Sequence, residues 1–253
     1  MLLVRDGSDG VEVFMLERHL RSDFAGGALV FPGGKVDPAD RSLPAPQWAG
    51  IDPVAVAERM QTDPGRALAL HVAAVRETFE EAGFLFARRG GDAVTARDLE
   101  VVAADRARQA AGRADAAWAQ FLAEHGLVLD LGALAWWSWW VTPVGLHRRY
   151  DTRFFVAAVP ATQEGAHDDV ETTSSRWTTP AAALEDAREG RAMVIYPTRK
   201  NLEALAAFAS ADEAVAAARA GEVDVRRVEP EAVTLADGSI GVRHPYLGEI
   251  ADI

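Results

Sequence analysis

The chain has 253 residues, a formal net charge of −12 and no cysteine. This length fits one large domain, or one domain with an appendage. The acidic balance argues against unspecific binding to nucleic acid or to an anionic membrane surface. The lack of cysteine excludes disulfides, thiolate metal sites and cysteine nucleophiles. Because neither a membrane-spanning apolar run nor a signal-peptide pattern stands in the sequence, a cytoplasmic location is expected.

The N-terminal part predicts a β-hairpin followed by a glycine-rich turn. Residues 1–5 and 11–17 are apolar and β-prone, and Asp-Gly-Ser-Asp-Gly between them is a strong turn signal. Glycine pairs at 26–27 and 33–34 flank a short apolar strand. The turn at Pro32-Gly33-Gly34 has a main chain that a ligand can approach closely, although a tight turn without function is equally compatible with this pattern.

Residues 41–70 predict a surface-lying insertion, because four prolines punctuate them. A short helix is possible at about 53–61.

An amphipathic helix is predicted over residues 71–83, with Gly83 as its stop. Val72, Val75 and Phe79 lie on its apolar face. Three carboxylates recur at helical spacing on another face: Glu77, Glu80 and Glu81. Like charges at these spacings destabilise an isolated helix by roughly 0.2–0.5 kcal/mol per pair. A divalent cation with oxygen ligands explains the cluster, and the alternative is an acidic helix surface without a ligand.

The middle of the chain predicts a short strand at 84–87 and helices within about 95–125, with Trp118, Phe121 and Leu122 facing inward. Residues 134–143 predict a strand that carries four tryptophans, at positions 136, 137, 139 and 140. Adjacent side chains of a strand point to opposite faces, so at least one face is expected to be covered. Core packing is the favoured interpretation of these tryptophans, and stacking of a nucleobase is the alternative.

The C-terminal half begins with a basic cluster at Arg148, Arg149 and Arg153, which is either an anion site or an ordinary arginine-rich surface. The stretch from Arg148 through the apolar run to Val159 predicts a strand, and residues 163–171 predict an acidic loop. A helix is predicted from Pro180, another over about 200–219, and a hairpin over 222–247 that turns at Asp237-Gly238. The order of these elements favours a mixed sheet flanked by helices over a series of βαβ units.

Three separate stretches together resemble the Nudix box, G-x5-E-x7-R-E-U-x-E-E-x-G-U, where U is a bulky aliphatic residue. They are Val30-Phe-Pro-Gly-Gly34, Asp40 six positions later, and Arg76-Glu-Thr-Phe-Glu-Glu-Ala-Gly-Phe84. Asp40 stands where the box has Glu, and Thr78 where it is usually aliphatic. The spacer of seven is replaced by residues 41–75, that is 75 − 41 + 1 = 35 residues.

An insertion at this place is similar to the coenzyme A diphosphatase-like branch of the Nudix superfamily. Trp140-Val-Thr-Pro and Arg149-Tyr-Asp-Thr-Arg-Phe-Phe also resemble stretches of that branch, and Gly27 to Gly34 matches its G-x3-F-P-G-G signature. The arginine expected four residues before that glycine is Asp23 in this chain.

The resemblance implies a fold of the α/β (α+β) class, a Nudix-type α/β/α sandwich with a mixed sheet and extra helices. Residues 1–253 are expected to form a single domain. Its additions are an insertion at 41–70, a helical insertion at about 95–125 and a C-terminal helix-plus-hairpin extension at about 200–253.

The resemblance also implies the residues of a catalytic site. Glu77, Glu80 and Glu81, with the main-chain carbonyl of Gly33, are expected to hold Mg²⁺ or Mn²⁺. Glu77 is the expected general base, oriented by Arg76, which pairs with Asp40. The remaining candidates are one further metal ligand, Glu171, with Asp168 and Asp169 as substitutes; the substrate-binding residues Arg18, Arg149 and Trp140; and the supporting glycines Gly34 and Gly83.

The implied activity is metal-dependent hydrolysis of a nucleoside diphosphate linked to another group. Coenzyme A or acyl-coenzyme A is the favoured substrate, and ADP-ribose, NADH or a nucleotide sugar is the alternative. A Nudix-fold nucleotide sensor without hydrolysis is the rival from another class. A small-molecule substrate, no nucleic acid, no membrane and a possible homodimer are expected. The histidines, at 19, 71, 125, 147, 167 and 244, lack metal-ligand spacing and are expected to be structural or solvent-facing.

Overall fold

The computed structural model describes residues 1–19, 27–111, 117–146, 148–165 and 172–252. Its helices and strands, in chain order, are β1 (Leu2–Gly7), β2 (Gly10–Arg18), β3 (Leu29–Val30), β4 (Trp48–Ala49), α1 (Pro53–Met60), α2 (Pro64–Ala82), β5 (Ala87–Arg89), β6 (Asp92–Ala93), α3 (Ala96–Ala111), α4 (Ala117–His125), β7 (Leu127–Asp130), β8 (Ala135–Val141), β9 (Asp151–Ala158), β10 (Thr172–Thr178), α5 (Pro180–Arg188), α6 (Tyr196–Leu205), α7 (Ala211–Ala220), β11 (Arg227–Val228), β12 (Glu231–Thr234), β13 (Ile240–Arg243) and β14 (Ile250–Asp252).

The central sheet is mixed, as the sequence predicts. Its strands follow the order β10-β2-β1-β9-β8-β11, and β3 pairs with β2. The hairpin β1–β2 closes at Gly7 opposite Gly10. The pairs β1–β9 and β8–β11 are parallel, whereas β8–β9 and β10–β2 are antiparallel. Smaller sheets form from β4-β7-β5-β6 and from β12-β13-β14.

Helices cover both faces of this sheet. Leu3 of β1 belongs to an apolar cluster with Val75 and Phe79 of α2. Its neighbour Leu2 belongs to a second cluster, with Leu202 of α6 and Val215 of α7. Successive side chains of β1 thus enter opposite layers, which is the expected alternation of a strand buried on both faces. The result is an α/β/α sandwich with α2 on one side and α6 and α7 on the other.

The helix predicted over 71–83 begins seven residues earlier. Asp63 caps its N-terminus by accepting a hydrogen bond from the Arg66 N–H at 2.9 Å, and Pro64 occupies the first turn. The last residues assigned to the insertion therefore form the first turns of α2. Leu68 and Leu70 are buried there, so this end of the segment does not lie on the surface.

The strand predicted at 84–87 is also displaced, since β5 starts only at Ala87. The backbone of Leu85 pairs with a side chain instead of a strand. Its N–H donates to Gln163 Oε1 at 3.0 Å, and its carbonyl accepts from Gln163 Nε2 at 3.2 Å. A buried side-chain amide can satisfy both backbone groups in this way.

The helix predicted over 200–219 is two helices, α6 and α7. Ser210 adopts an extended backbone and accepts a hydrogen bond from the Glu213 N–H at 3.1 Å, so it starts a new helix instead of continuing α6. The C-terminal hairpin is present, with β12 and β13 joined through Asp237-Gly238.

None of the helices in the described parts of the chain is both long and apolar enough to cross a membrane.

Candidate metal centre and active site

The three glutamates of α2 are buried, although they belong to the polar residue types. Glu77, Glu80 and Glu81 are 4%, 5% and 9% exposed. Val72, Val75 and Phe79 of the same helix are buried against the sheet. A carboxylate removed from water needs compensating charge or hydrogen bonds. The burial therefore contradicts the alternative of a solvated acidic helix face.

Arg76 connects these glutamates to the segment before the insertion. Its Nε donates to Asp40 Oδ1 at 3.1 Å and its Nη2 to Asp40 Oδ2 at 3.0 Å. Its Nη1 donates to Glu77 Oε1 at 3.1 Å and to Glu80 Oε2 at 3.2 Å. The ion pair with Asp40 that the sequence predicts across the insertion is present.

The charge around Arg76 is strongly unbalanced. Asp37 Oδ2 lies 3.6 Å from Nη2, so this one guanidinium faces four carboxylates: Asp37, Asp40, Glu77 and Glu80. Burial by itself would lower the pKa of Arg76. The hydrogen bonds with Asp40 and the charges of Glu77, Asp40 and Glu80 outweigh burial, so the pKa is raised.

The glycine-rich turn packs directly against the carboxylates. The Gly33 N–H donates to Glu81 Oε2 at 2.8 Å, and Gly33 has φ +145°, which a residue with a side chain rarely adopts. A Cβ on Gly34 would lie 2.4 Å from the carboxyl carbon of Glu77. A side chain at position 34 would thus displace the Glu77 carboxylate. The Met1 nitrogen donates to the Pro32 carbonyl at 2.5 Å and ties this turn to the start of β1.

Asp40 is held by a short 3₁₀ turn over Pro38–Ser42. Its Oδ2 also accepts a hydrogen bond from the Asp37 N–H at 2.8 Å. The carbonyl of Lys35 accepts from Arg76 Nη2 at 2.8 Å. The segment from 35 to 40 therefore wraps around the guanidinium. The insertion follows this segment in the chain, so it does not interrupt the contact.

The donor set fits a divalent cation. Carboxylate oxygens are the ligands that Mg²⁺ and Mn²⁺ prefer, and the one charge of Arg76 is shared among four carboxylates. Within the described residues, no three potential ligands already surround one point. Arg76 Nη1 contacts both Glu77 and Glu80, and the Gly33 N–H donates to Glu81. These contacts hold the three carboxylates apart from a common point.

The four tryptophans of β8 lie in three different environments. A β-bulge between Trp136 and Ser138 shifts the register, so Trp136 and Trp139 both enter the α2 side of the core. Trp137 enters the opposite cluster. Trp140 is buried among aromatic residues, with ring centroids 5.7 Å from Tyr196 and 5.7 Å from His244. Core packing is thus the better interpretation of Trp140, and its enclosed ring is not placed to stack on a substrate.

The other predicted substrate-binding residues are arginines that flank two different strands of the central sheet. Arg18 is the last residue of β2 and is partly buried, and its carbonyl accepts from the Gly27 N–H at 3.0 Å. Arg149 lies between β8 and β9, where its Nε donates to the Thr142 carbonyl at 3.1 Å and its Nη2 pairs with Glu229. Glu171, with its substitutes Asp168 and Asp169, lies outside the described residues.

Gly83 ends α2 in the left-handed region, at φ +75°, as the sequence predicts. Beside it lies Arg106 of α3, a contact that the sequence did not predict. Arg106 Nε donates to the Glu80 carbonyl at 3.1 Å, so the helical insertion contacts the carboxylate helix. Nothing in its Ala- and Arg-rich surroundings singles out this arginine.

Two described histidines contact polar backbone groups inside the fold. His71 Nδ1 lies 2.8 Å from the Ala67 carbonyl, and its ring packs against Phe155. Burial lowers the pKa of His71 to about 4, opposed by that hydrogen bond. His244 Nδ1 accepts from the N–H groups of Tyr246 and Leu247 at 3.2 Å. Both fit the structural role expected for them, whereas His147 and His167 lie outside the described residues.

The family model of the NUDT19 Nudix domain matches residues 44–203 of the chain. The chain belongs to this Nudix family. A Nudix hydrolase structure from Alicyclobacillus acidocaldarius superposes with a TM-score of 0.68 at 29% identity, covering 85% of this chain and 92% of that one. Together with the mixed sheet, this similarity confirms the Nudix-type α/β/α fold.

Two relatives of this Nudix chain share a name. The acyl-coenzyme A diphosphatase NUDT19 of Gallus gallus is 32% identical, over 90% of this chain and 70% of that protein. The protein of the same name from Xenopus laevis is 28% identical, over 83% of this chain and 63% of that protein. The chain thus spans less than two thirds of the frog relative.

Proposed function

We propose that this Nudix chain is a divalent-metal-dependent diphosphatase that cleaves the diphosphate bond of coenzyme A or acyl-coenzyme A. The observation that carries the proposal is the buried carboxylate set of α2, closed on one side by the glycine-rich turn. A mere nucleotide sensor has no need for several buried glutamates around one arginine. The relatives named acyl-coenzyme A diphosphatase support the choice of substrate.

The metal ligands in this proposal are Glu77, Glu80, Glu81 and the Gly33 carbonyl, with Glu171 as a further ligand. When bound there, Mg²⁺ or Mn²⁺ neutralises charge on a diphosphate and makes attack by water on phosphorus easier. No covalent enzyme intermediate is involved, because water displaces the leaving phosphate directly.

The chain's own residues position the proton acceptor. Glu77 accepts the proton of the attacking water as general base. Arg76 Nη1 holds Glu77 Oε1, and Asp40 fixes the orientation of Arg76 through two hydrogen bonds. Gly34 leaves the space that the Glu77 carboxylate occupies. Asp40 and Gly34 therefore act through Glu77 as positioning residues.

The test is product analysis of a substrate panel with purified protein and Mg²⁺ or Mn²⁺. Coenzyme A is expected to give 4′-phosphopantetheine and adenosine 3′,5′-bisphosphate by mass spectrometry. ADP-ribose, NADH and a nucleotide sugar complete the panel. Faster cleavage of one of these contradicts the coenzyme A assignment. Binding of a nucleotide without turnover at saturating Mn²⁺ contradicts hydrolysis itself and favours the sensor.

A further inference from the structure

A row of cationic and aromatic side chains crosses three neighbouring strands at one end of the central sheet. Trp139 of β8 pairs with Arg153 of β9 on one side and with Arg227 of β11 on the other. The Arg153 guanidinium lies over the Trp139 ring at 3.6 Å from its centroid, and that of Arg227 lies at 5.8 Å. Both arginines thus lie within cation–π distance of the same indole ring.

Two more arginines join this row through carboxylates. Asp151 forms an ion pair with Arg153, and the Nη2 atom of Arg66 in α2 lies 3.7 Å from Asp151 Oδ2. Glu229 pairs with Arg149 and, at 2.6 Å, with Arg227. Among the described residues, these four arginines thus pair with two carboxylates, which leaves a surplus of two positive charges in this group on a chain whose net charge is −12. We call these four arginines, with Trp139, the arginine row.

Arg153 is the most enclosed member of the arginine row. Its side chain is 3% exposed, and its Nε is buried without a hydrogen-bond partner among the described residues. Burial lowers the pKa of Arg153, Asp151 opposes this, and the neighbouring Arg66 and Arg227 add to the lowering. Like charges held this close are stabilised when an anion binds between them. The exposed arginines Arg66 and Arg227 leave the row accessible from solvent.

The arginine row lies at the same end of the sheet as the glycine-rich turn. Strand β9 runs parallel to β1, so Arg153 near its start lies at the end of the sheet where the Met1 nitrogen donates to the Pro32 carbonyl of the turn. Arg66 and Glu77 belong to one helix and are eleven residues apart, about 16 Å along its axis. The long Arg66 side chain spans part of this separation, so a substrate that lies between the two places can contact both.

We propose that the arginine row binds a phosphate monoester on the nucleoside part of the substrate, separate from the diphosphate at the carboxylates. This inference rests on the proposed function for the identity of the substrate. A phosphate monoester carries about −1.5 to −2 charges at pH 7, which matches the surplus of the row. Guanidinium groups bind its oxygens by charge-assisted hydrogen bonds. Coenzyme A carries such a phosphate on its ribose, whereas ADP-ribose and NADH do not.

The first test measures binding by calorimetry without metal. Adenosine 3′,5′-bisphosphate and adenosine 5′-monophosphate differ by one ribose phosphate, and the bisphosphate is expected to bind about 10-fold tighter or more. Arg66→Gln and Arg227→Gln each reduce this ratio, because their side chains are exposed and their loss leaves the fold intact. Arg226→Gln removes the same charge from the neighbouring position, where Arg226 pairs with Asp224, and keeps the wild-type ratio.

Three results overturn the proposal: equal affinity for both nucleotides, an equal loss for both in the variants, or inorganic phosphate binding as tightly as the bisphosphate. The last result indicates a site for the free ion. A second measurement separates this proposal from the proposed function. If coenzyme A and 3′-dephospho-coenzyme A are cleaved with the same kcat/KM, the row has no such role, although the diphosphatase stands. If the bisphosphate preference holds but coenzyme A is not cleaved, the row stands and the diphosphatase does not.

Discussion

Asp40 and Arg76 are 36 positions apart and form a buried ion pair with two hydrogen bonds, of 3.0 and 3.1 Å. Asp40 is 2% exposed and Arg76 3%. This ion pair joins the two halves of the Nudix box that the insertion separates in the sequence. It also fixes the guanidinium that holds Glu77 and Glu80, so fold and proposed chemistry depend on the same contact.

Asp40→Ala is expected to destabilise the protein by about 3 kcal/mol, because it leaves a buried guanidinium without its main partner. Urea denaturation gives the free energy of unfolding. The matched control is Arg41→Gln, which breaks an exposed ion pair with Asp63 next to the same turn and leaves the unfolding midpoint unchanged. Equal effects of the two variants would show that the buried pair contributes no more than a surface one.

Gly34→Ala is expected to lower kcat for diphosphate cleavage by about 100-fold with little change in KM, because the new Cβ displaces the Glu77 carboxylate. Steady-state kinetics with coenzyme A measure both constants. Gly65→Ala is the control in the first turn of α2, where the nearest atom to a new Cβ lies 3.2 Å away, and activity stays at the wild-type level. Full activity of Gly34→Ala would contradict the positioning role assigned to Gly34.

Thr78→Val is expected to stabilise the protein by about 1 kcal/mol. The Thr78 hydroxyl is fully buried and has no hydrogen-bond partner among the described residues, and most Nudix boxes carry an aliphatic residue there. Ser138→Ala provides the opposite case, since the Ser138 hydroxyl donates to Asn201 Oδ1 at 2.7 Å inside the core. That variant is expected to lose about 1–2 kcal/mol. A loss of stability in Thr78→Val would mean that its hydroxyl is satisfied.

His71 makes stability depend on pH between 6.5 and about 4. Its pKa is lowered in the folded state, so the unfolded chain binds the proton more tightly. The stability from neutral His71 is therefore full above pH 6.5 and is lost as the pH falls toward 4. Between pH 7 and 5 the loss is about 2 kcal/mol. His71→Leu lacks this component, so its unfolding free energy should fall less over the same range; parallel curves would contradict the assignment.

Local patterns predicted much of the fold and the carboxylate site. The hairpin β1–β2 follows from its turn residues, and the inward positions of Trp118, Phe121 and Leu122 follow from helical spacing. The Asp40–Arg76 contact could be predicted only through the resemblance to the Nudix box. No local pattern links two residues across the 35 residues that separate them.

Features that depend on how the strands pair in the folded sheet could not be predicted from the sequence. The arginine row joins positions 139, 153 and 227, which only strand pairing brings together. The bulge in β8 places Trp136 and Trp139 on the same face, against simple alternation. The start of α2 at Pro64 was hidden by the proline itself, which resembles a loop signal but is also favoured in the first turn of a helix.

The most direct test of the central claim is the rate of coenzyme A cleavage by Glu81→Gln as a function of Mg²⁺ concentration. Glutamine keeps the size of the side chain but removes the charge. If the buried carboxylates of α2 hold the metal, the variant loses at least about 100-fold in rate or needs much more Mg²⁺. Glu124→Gln, an exposed change on α4, retains wild-type behaviour. An unchanged rate and Mg²⁺ dependence in Glu81→Gln would contradict the metal site assigned to α2.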